Sequence, residues 1–387
     1  MNEAQYFYAF RFVSGLLGFV LLTNFFRYLG HLTDTKKSSN ELDLGPSTVN
    51  DWNGLEELIV VDQFMESPDI KTLRLKRKSG ANIPQYDPGQ FLSFEISKEK
   101  KVFRSYSVSG IADNHSIIQV SVKLIENGLG STKLHSLKEG DSIWAYPPSG
   151  LFTDQHLKEE SERVFIAGGV GITPLLSMIE TALARGEKHK MTLFYAARNR
   201  EDFAFHERLD YLSLRFPNLN YLPYLSGKSS EDWKGGAGRL NFEIIKNNLS
   251  NLKSSHYFFC GPEKLTEVIS IGLLKSGVPS ENIHSEEFIS PTNLEGSEIE
   301  ERKVDITFNG SKLSYQGKDN ILDFLEKNNF DIPFACRSGV CGECKLKRGN
   351  GKIKCLSDSG LQSSEKEEYF LSCVSYPEED ISIDSAK

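Results

Sequence analysis

The sequence predicts a multidomain chain of mixed α+β and α/β class. An antiparallel β-barrel comes first, a Rossmann-like parallel α/β domain second, and a small C-terminal domain built round a cysteine loop last. Three observations carry this prediction. From Gly54 to about Thr153 the chain reads as short strands (IKTLRLKR, QFLSFEIS, IIQVSVKLI, DSIWAYP) punctuated by Pro-Gly, Gly-Asp and Pro-Pro, with no helices between them. From Arg163 a buried strand run, VFIAGG, is followed by a helical stretch, TPLLSMIETALARG, and another strand, MTLFYAA, which is the alternation of a parallel sheet. Finally, three of the six cysteines fall within the nine residues from Cys336 to Cys344.

At 387 residues the chain is too long for one ordinary core. Its 39% hydrophobic and 25% charged residues sit in the range of globular proteins. A formal net charge of −8 argues against nucleic acid as a partner, because phosphate binding needs concentrated Lys and Arg. Clustered cysteines in a long acidic chain point to a metal centre in a reducing compartment rather than a secreted disulfide framework.

The N-terminus departs from this picture. Phe12–Phe26 is uncharged and mostly apolar, between Arg11 and Arg27. Extended from Tyr6 to Leu29, a helix reaches the roughly 20 residues a bilayer requires, with both arginines snorkelling to the interfaces. The alternative is a hydrophobic helix packed on the protein's own body. If the helix inserts, Arg27, Lys36 and Lys37 beyond it outweigh Arg11 before it and place the body on the cytoplasmic face; if not, the chain is cytoplasmic. Residues 1–33 are therefore read as an N-terminal hydrophobic helix, 34–52 as a polar linker, 53–153 as the barrel, 160–288 as the α/β domain, 289–302 as an acidic second linker and 303–387 as the cysteine-loop domain. That last domain opens with VDITFNGSKLSYQG, where Asn-Gly favours a tight hairpin turn, and continues into a helix, NILDFLEKN.

Cys336, Cys341, Cys344 and the distant Cys373 give the C-x4-C-x2-C spacing associated with plant-type [2Fe–2S] ligation. Three thiolates in one tight loop wrap a small cluster and a fourth closes the cage from another element. A structural zinc site is the rival, but zinc motifs pair two short-spaced couples and only one C-x-x-C exists here. Cys355, in an IKCL strand pattern, reads as a small core residue.

The cysteine loop, followed by FLSCVSYP, resembles the ferredoxin domain fused to the C-terminus of oxygenase reductases in the ferredoxin–NADP reductase superfamily. Within it, the chain resembles the phenylacetyl-CoA epoxidase reductase and hybrid-cluster-protein reductase groups. The resemblance spans about 54 to 387 and implies a β-grasp ferredoxin domain behind a flavin barrel and an NAD(P)-binding domain.

Several motifs take on meaning within it. Arg104-Ser105-Tyr106-Ser107 matches the R-x-Y-S flavin motif. Arg104 would neutralise the flavin phosphate, Tyr106 would lie against the ring, and Ser107 would reach its N5 or O4. Pro88-Gly89-Gln90-Phe91, Lys123, Gly128-Leu129-Gly130-Ser131 and Pro148-Ser149-Gly150-Leu151-Phe152 match in order, the glycine–serine turn being the one that binds pyrophosphate. Gly168-Gly169-Val170-Gly171-Ile172-Thr173-Pro174 matches G-G-x-G-x-T-P, where glycines and a helix N-terminus receive a pyrophosphate and Thr173 meets the nicotinamide pocket. Cys260-Gly261-Pro262 matches the second nicotinamide motif and would put Cys260 near nicotinamide C4. Glu286-Glu287-Phe288 resembles the E-x-F element that places Phe288 near the flavin.

Arg198 and Arg200 lie where the family contacts the adenosine ribose. They either pair with a 2′-phosphate or are solvated loop charges, so NADH and NADPH both stay open. The resemblance implies FAD rather than FMN, and electron flow from NAD(P)H through FAD to a [2Fe–2S] cluster. The implied acceptor is a partner oxygenase, hydroxylase or desaturase, soluble or membrane-bound. Two rivals are a membrane-anchored NADH dehydrogenase of a respiratory chain and a flavin redox sensor without turnover. The ferredoxin domain's last place in the chain argues against the first, and complete nicotinamide motifs beside complete flavin motifs argue against the second.

Overall fold

In the computed structural model, which describes residues 52–158, 161–228, 231–288 and 299–386, the first domain is built by side chains alternating between a core and an outer face. Its strands are β1 (Glu56–Ser67), β2 (Ile70–Arg77), β3 (Phe91–Ser97), β4 (Val102–Ser107), β5 (Ile118–Lys123) and β6 (Ser142–Ser149). They form one antiparallel sheet in the order β4-β3-β6-β1-β2-β5. A bridge between Val108 and Val120 ties the two outer strands together, so the sheet closes into a barrel around Leu58, Leu73, Phe94 and Val120.

The region is not free of helices, as its strand spacing suggested. Helix α1 (Leu129–Ser136) follows β5. Its sequence, LGSTKLHS, has little helical propensity and only Leu134 to bury, so it carries no periodic signal. Tertiary contacts hold it instead. Leu134 enters the barrel core, and the buried Lys71 ammonium donates to the His135 and Leu137 carbonyls at 3.0 and 2.7 Å, satisfying the helix end.

The second domain is a parallel sheet of β7 (Arg163–Gly168), β8 (Met191–Ala197), β9 (Leu219–Leu225), β10 (Gly236–Ala237), β11 (His256–Cys260) and β12 (Ile283–Glu286), in the order β10-β9-β8-β7-β11-β12. Helices α2 (Ile172–Arg185), α3 (His206–Arg215), α4 (Phe242–Asn248) and α5 (Glu263–Lys275) cover it. Strand β7 is buried along its whole length because both faces are sandwiched. Phe165 and Ala167 pack with α2, while Val164 and Ile166 pack with α4 and α5.

Helix α2 also stitches this domain to the barrel. Ser177 Oγ donates to the Gly110 carbonyl at 2.7 Å, the Ala112 amide donates to Thr181 Oγ1 at 2.9 Å, and Arg185 forks onto Asp113 at 2.7 and 2.8 Å. Ile70 and Phe152 of the barrel belong to the second domain's core, and a buried Arg163–Asp154 pair at 2.8 Å adds a charged contact.

The third domain comprises β13 (Arg302–Phe308), β14 (Ser311–Gly317), α6 (Ile321–Lys327), β15 (Lys345–Arg348), β16 (Ile353–Cys355), β17 (Tyr369–Leu371), β18 (Ser375–Pro377) and β19 (Ile381–Ser385). The β13–β14 hairpin turns at Asn309-Gly310, with φ of +47° and +79°, as the dipeptide predicts. A mixed sheet, β14-β13-β19-β15-β17, receives Ile321, Leu322 and Leu325 of α6 in the ferredoxin-like manner. Asn320 caps α6 by accepting from the Asp323 amide at 2.8 Å, a contact worth about 1 kcal/mol. Residues 50–387 form one compact unit. The apolar stretch from Tyr6 to Leu29 lies outside the described residues; among those described, no helix is long and apolar enough to cross a membrane.

Candidate functional site

Strand β4 carries the flavin motif. Arg104 and Tyr106 are partly exposed, and Tyr106 rests on the barrel core with its ring 6.0 Å from that of Phe94. The first turn of α1 is laid directly over them. A Cβ on Gly130 would stand 2.5 Å from the Tyr106 hydroxyl and 2.7 Å from Arg104 Cγ, so only glycine admits this approach. The result is a cation, an aromatic face and bare backbone in one place, which fits a flavin and its phosphate. Arg104 Nη1 donates to the Phe103 carbonyl at 2.7 Å.

Two neighbours serve the turn rather than standing open. Ser131 Oγ accepts from the Ile125 amide at 3.1 Å and donates to the Gly128 carbonyl at 3.2 Å. Lys123 pairs with Asp69 at 3.2 Å. Both stay beside the motif, but their polar groups already have partners.

At the C-terminal ends of β7 and β11 the glycines let two strand ends touch. A Cβ on Gly171 would stand 2.1 Å from the Cys260 carbonyl oxygen, and one on Gly168 would meet Pro262 Cδ at 2.4 Å. Gly169 opens a 3-10 turn over Gly169–Gly171 that leads into α2. Thr173 lies in the first turn of α2 with its hydroxyl on the Val170 carbonyl at 3.0 Å, and Pro174 beside it needs no hydrogen-bond acceptor. This glycine turn at a helix start fits a dinucleotide pyrophosphate.

Cys260 ends β11 in register with Glu286 of β12, beside Gly261. Ser107, at the end of β4, donates to Glu286 Oε2 at 3.4 Å. Three polar residues from two domains therefore converge where barrel and parallel sheet meet. Burial pushes the Glu286 carboxyl up to about 8, against a smaller downward pull from Ser107, and burial together with Glu286 holds the Cys260 thiol well above its usual range. All three groups are uncharged near neutral pH. The sequence pointed to Ser107 and Cys260 but saw Glu286 only as part of the E-x-F element. Phe288, two residues on, is about half exposed. Arg198 is exposed beyond β8, and Arg200 is engaged by Asp232 at 2.7 Å.

The four cysteines of the spacing motif come together. Cys336 touches the thiols of Cys341 and Cys373, and Cys373 also touches Cys344. Cys336, Cys344 and Cys373 are buried and Cys341 is the more open corner. Burial opposes ionisation of Cys336, but hydrogen bonds from Cys341, Cys373 and Ser338 outweigh it and hold the thiol well below its usual range. The Ser338 amide points at Cys336 Sγ, 3.4 Å away. Among the described residues no three His, Cys, Asp or Glu side chains are placed to hold a single ion. The thiols form a linked row of four, the donor set of a two-iron cluster. Cys355 stands apart on β16, half-buried against the domain core, accepting from Ser375 Oγ at 3.2 Å and Arg348 Nη2 at 3.3 Å.

Comparison with known proteins agrees with this geometry. An oxidoreductase FAD-binding domain matches residues 57–153, an oxidoreductase NAD-binding domain 165–270, and a 2Fe-2S iron-sulfur cluster binding domain 306–378. The chain is 26% identical over 362 residues to the glycine betaine monooxygenase reductase subunit of Pseudomonas aeruginosa, covering 88% of this chain and 98% of that protein. It is 29% identical over 313 residues to a component of the 1,2-phenylacetyl-CoA epoxidase of Escherichia coli, covering 76% and 86%. Its fold matches the solved structure of phthalate dioxygenase reductase with a TM-score of 0.59 at 22% identity, over 88% of this chain and 99% of that one. With flavin, nicotinamide and cluster domains in that order, the chain belongs to the ferredoxin–NADP reductase superfamily, in the arrangement that ends in a plant-type 2Fe-2S domain.

Proposed function

We propose that this NAD(P)H-dependent flavin and iron–sulfur reductase serves a partner oxygenase, hydroxylase or desaturase, with electrons leaving through the cluster loop. The observation that carries the reading is the meeting of Ser107, Cys260 and Glu286, which joins the end of the flavin strand to the ends of the nicotinamide strands. When bound, FAD and the [2Fe–2S] cluster supply the conversion of a two-electron hydride into single electrons. The chain's own residues do the placing. Arg104 offers a guanidinium to the flavin phosphate and Tyr106 a flat face to its ring. The turn from Gly168 to Gly171, with Thr173 and Pro174 behind it, presents backbone amides to the nucleotide, and Gly261 and Pro262 close the other side. Arg198 remains for the adenosine end. Ser107 Oγ and Glu286 Oε hold protons in a buried, uncharged bed, which suits an uncharged dihydronicotinamide ring. Cys336, Cys341, Cys344 and Cys373 hold the cluster. The names of the relatives, components of monooxygenase and epoxidase systems, support an oxygenase as acceptor.

Cys341→Ser tests this order of transfer. It should abolish the cluster's visible absorbance and reduction of cytochrome c, while reduction of ferricyanide by NAD(P)H survives because that small oxidant takes electrons at the flavin. Cys355→Ser should leave the cluster intact. Equal loss of both activities in Cys341→Ser would place the cluster off the route.

The apolar segment from Tyr6 to Leu29 supports a further part of the proposal: residues 1–33 anchor the body to the cytoplasmic face of a membrane. A chain lacking residues 1–33 should stay in the supernatant after ultracentrifugation, with unchanged ferricyanide activity, while the full chain sediments with membranes until detergent is added. A full chain that remains in the supernatant without detergent would remove the anchor from the proposal.

A further inference from the structure

Phe103 is 4% exposed, yet it is not part of the barrel core. Its strand explains why. Tyr106 on β4 rests on that core, and alternation turns Phe103 to the opposite face. There its ring packs at 5.6 Å against Tyr146 of β6, and both meet Phe334 of the third domain, edge to face, at 5.9 and 6.0 Å. Phe334 stands two residues before the cluster ligand Cys336, and Phe103 stands one residue before Arg104.

A charged frame surrounds the rings. The Arg337 guanidinium lies 3.9 Å over the Phe334 centroid. Its Nη1 donates to Asp323 at 2.6 Å and its Nη2 to both oxygens of Glu326 at 2.7 Å. Glu326 in turn reaches Lys101 of the barrel at 3.3 Å. Arg337 is thereby fixed from α6 while it caps the aromatic contact.

We propose that Phe334 is a positioning residue, and that its contact with Phe103 and Tyr146, framed by Lys101, Glu326 and Arg337, seats the cluster loop on the flavin strand for electron transfer within the chain. The proposal rests on the functional reading above and adds the side chains that make the docked arrangement. Rings of this size give a large, rigid contact for little conformational entropy, and the exposed Lys101–Glu326 pair orients the approach without making it permanent. Such a contact suits a domain that must hold one position for internal transfer and still yield its cluster face to an outside acceptor.

The test uses the full chain loaded with flavin and cluster. In anaerobic stopped-flow mixing with excess NADH or NADPH, Phe334→Ala should leave the flavin-bleaching rate within about twofold of wild type. Cluster reduction that follows should slow on the order of tenfold, as loss of the contact depopulates the docked arrangement. Phe334→Tyr should restore most of that rate. Lys101→Glu, which faces Glu326 with a like charge, should slow the same step at low salt and recover as salt is raised. A readout independent of turnover is hydrogen exchange. Amides of Val102–Arg104 and Trp144–Tyr146 should exchange faster in Phe334→Ala. If Phe334→Ala loses its cluster, Tyr146→Ala makes the same test from the barrel side, where no cluster ligand is touched. Wild-type cluster reduction and wild-type exchange in these variants would overturn the docking role. A chain whose flavin neither nucleotide bleaches would overturn the functional reading instead, and the exchange measurement would still decide the contact.

Discussion

Glu286 holds its proton near neutral pH because the site that surrounds it excludes water. Its carboxyl keeps a proton up to about pH 8 when folded and loses it near 4.5 when unfolded. Between those values the folded state binds the extra proton, so this group's contribution to stability falls as pH rises from about 4.5 to 8. Glu286→Gln copies the neutral form at every pH. The melting temperature of the variant relative to wild type should therefore climb by several degrees across that window. A difference that stays constant with pH would show that Glu286 is ionised in the folded chain. This residue also marks the limit of what single positions reveal in a sequence. The four cluster cysteines are legible because three share one loop with fixed spacing. Glu286 acquires its character from a strand pairing with Cys260 and from a hydroxyl 179 positions away, neither of which local sequence encodes. Ser131 and Lys123 show the converse: motif membership singles them out, while their polar groups are engaged by the local turn at Ile125 and Gly128 and by the distant Asp69.

At the scale of elements, strands marked by alternation, such as β2, or by a continuous apolar run, such as β7, were legible, and so was α2 with its long apolar stripe. Helix α1 was not, because a Lys71 ammonium and one leucine, not periodicity, make it a helix. The glycine turn before α2 shows how an element's edge sets function. Gly171 has φ of −61°, a value alanine adopts freely, so the objection to a side chain there is steric: it would stand 2.1 Å from the Cys260 carbonyl oxygen and 2.8 Å from the Gly261 amide nitrogen. Gly171→Ala must push β7 and β11 apart at their ends. The expected cost is about 1–3 kcal/mol of stability, read by thermal denaturation. NAD(P)H-dependent flavin bleaching should slow more than tenfold, since a misplacement of about 1 Å at reacting groups costs that much or more. Retention of the wild-type rate would mean that the nucleotide does not use this turn.

Over the whole molecule, the order of three domains could be read from changes in strand and helix pattern. The seam between the first two could not, because Gly110, Ala112 and Asp113 come from a loop with no pattern of its own and are matched to α2 only in space. That seam decides where the chain can be divided. A cut after Thr153 would strip Ser177 and Thr181 of their partners and Arg185 of Asp113, and bare Ile70 on one piece and the α2 face on the other. Ending the chain at Phe288 leaves every one of those contacts in place and uncovers chiefly Phe103 and Tyr146. Expression of 50–153 alone should give aggregate, whereas 50–288 should elute as a folded monomer that reduces ferricyanide with NAD(P)H; a soluble, folded 50–153 would show the seam to be dispensable. The barrel and the parallel sheet thus form a single exchangeable cartridge, to which a different electron outlet could be attached without redesigning the hydride-handling half.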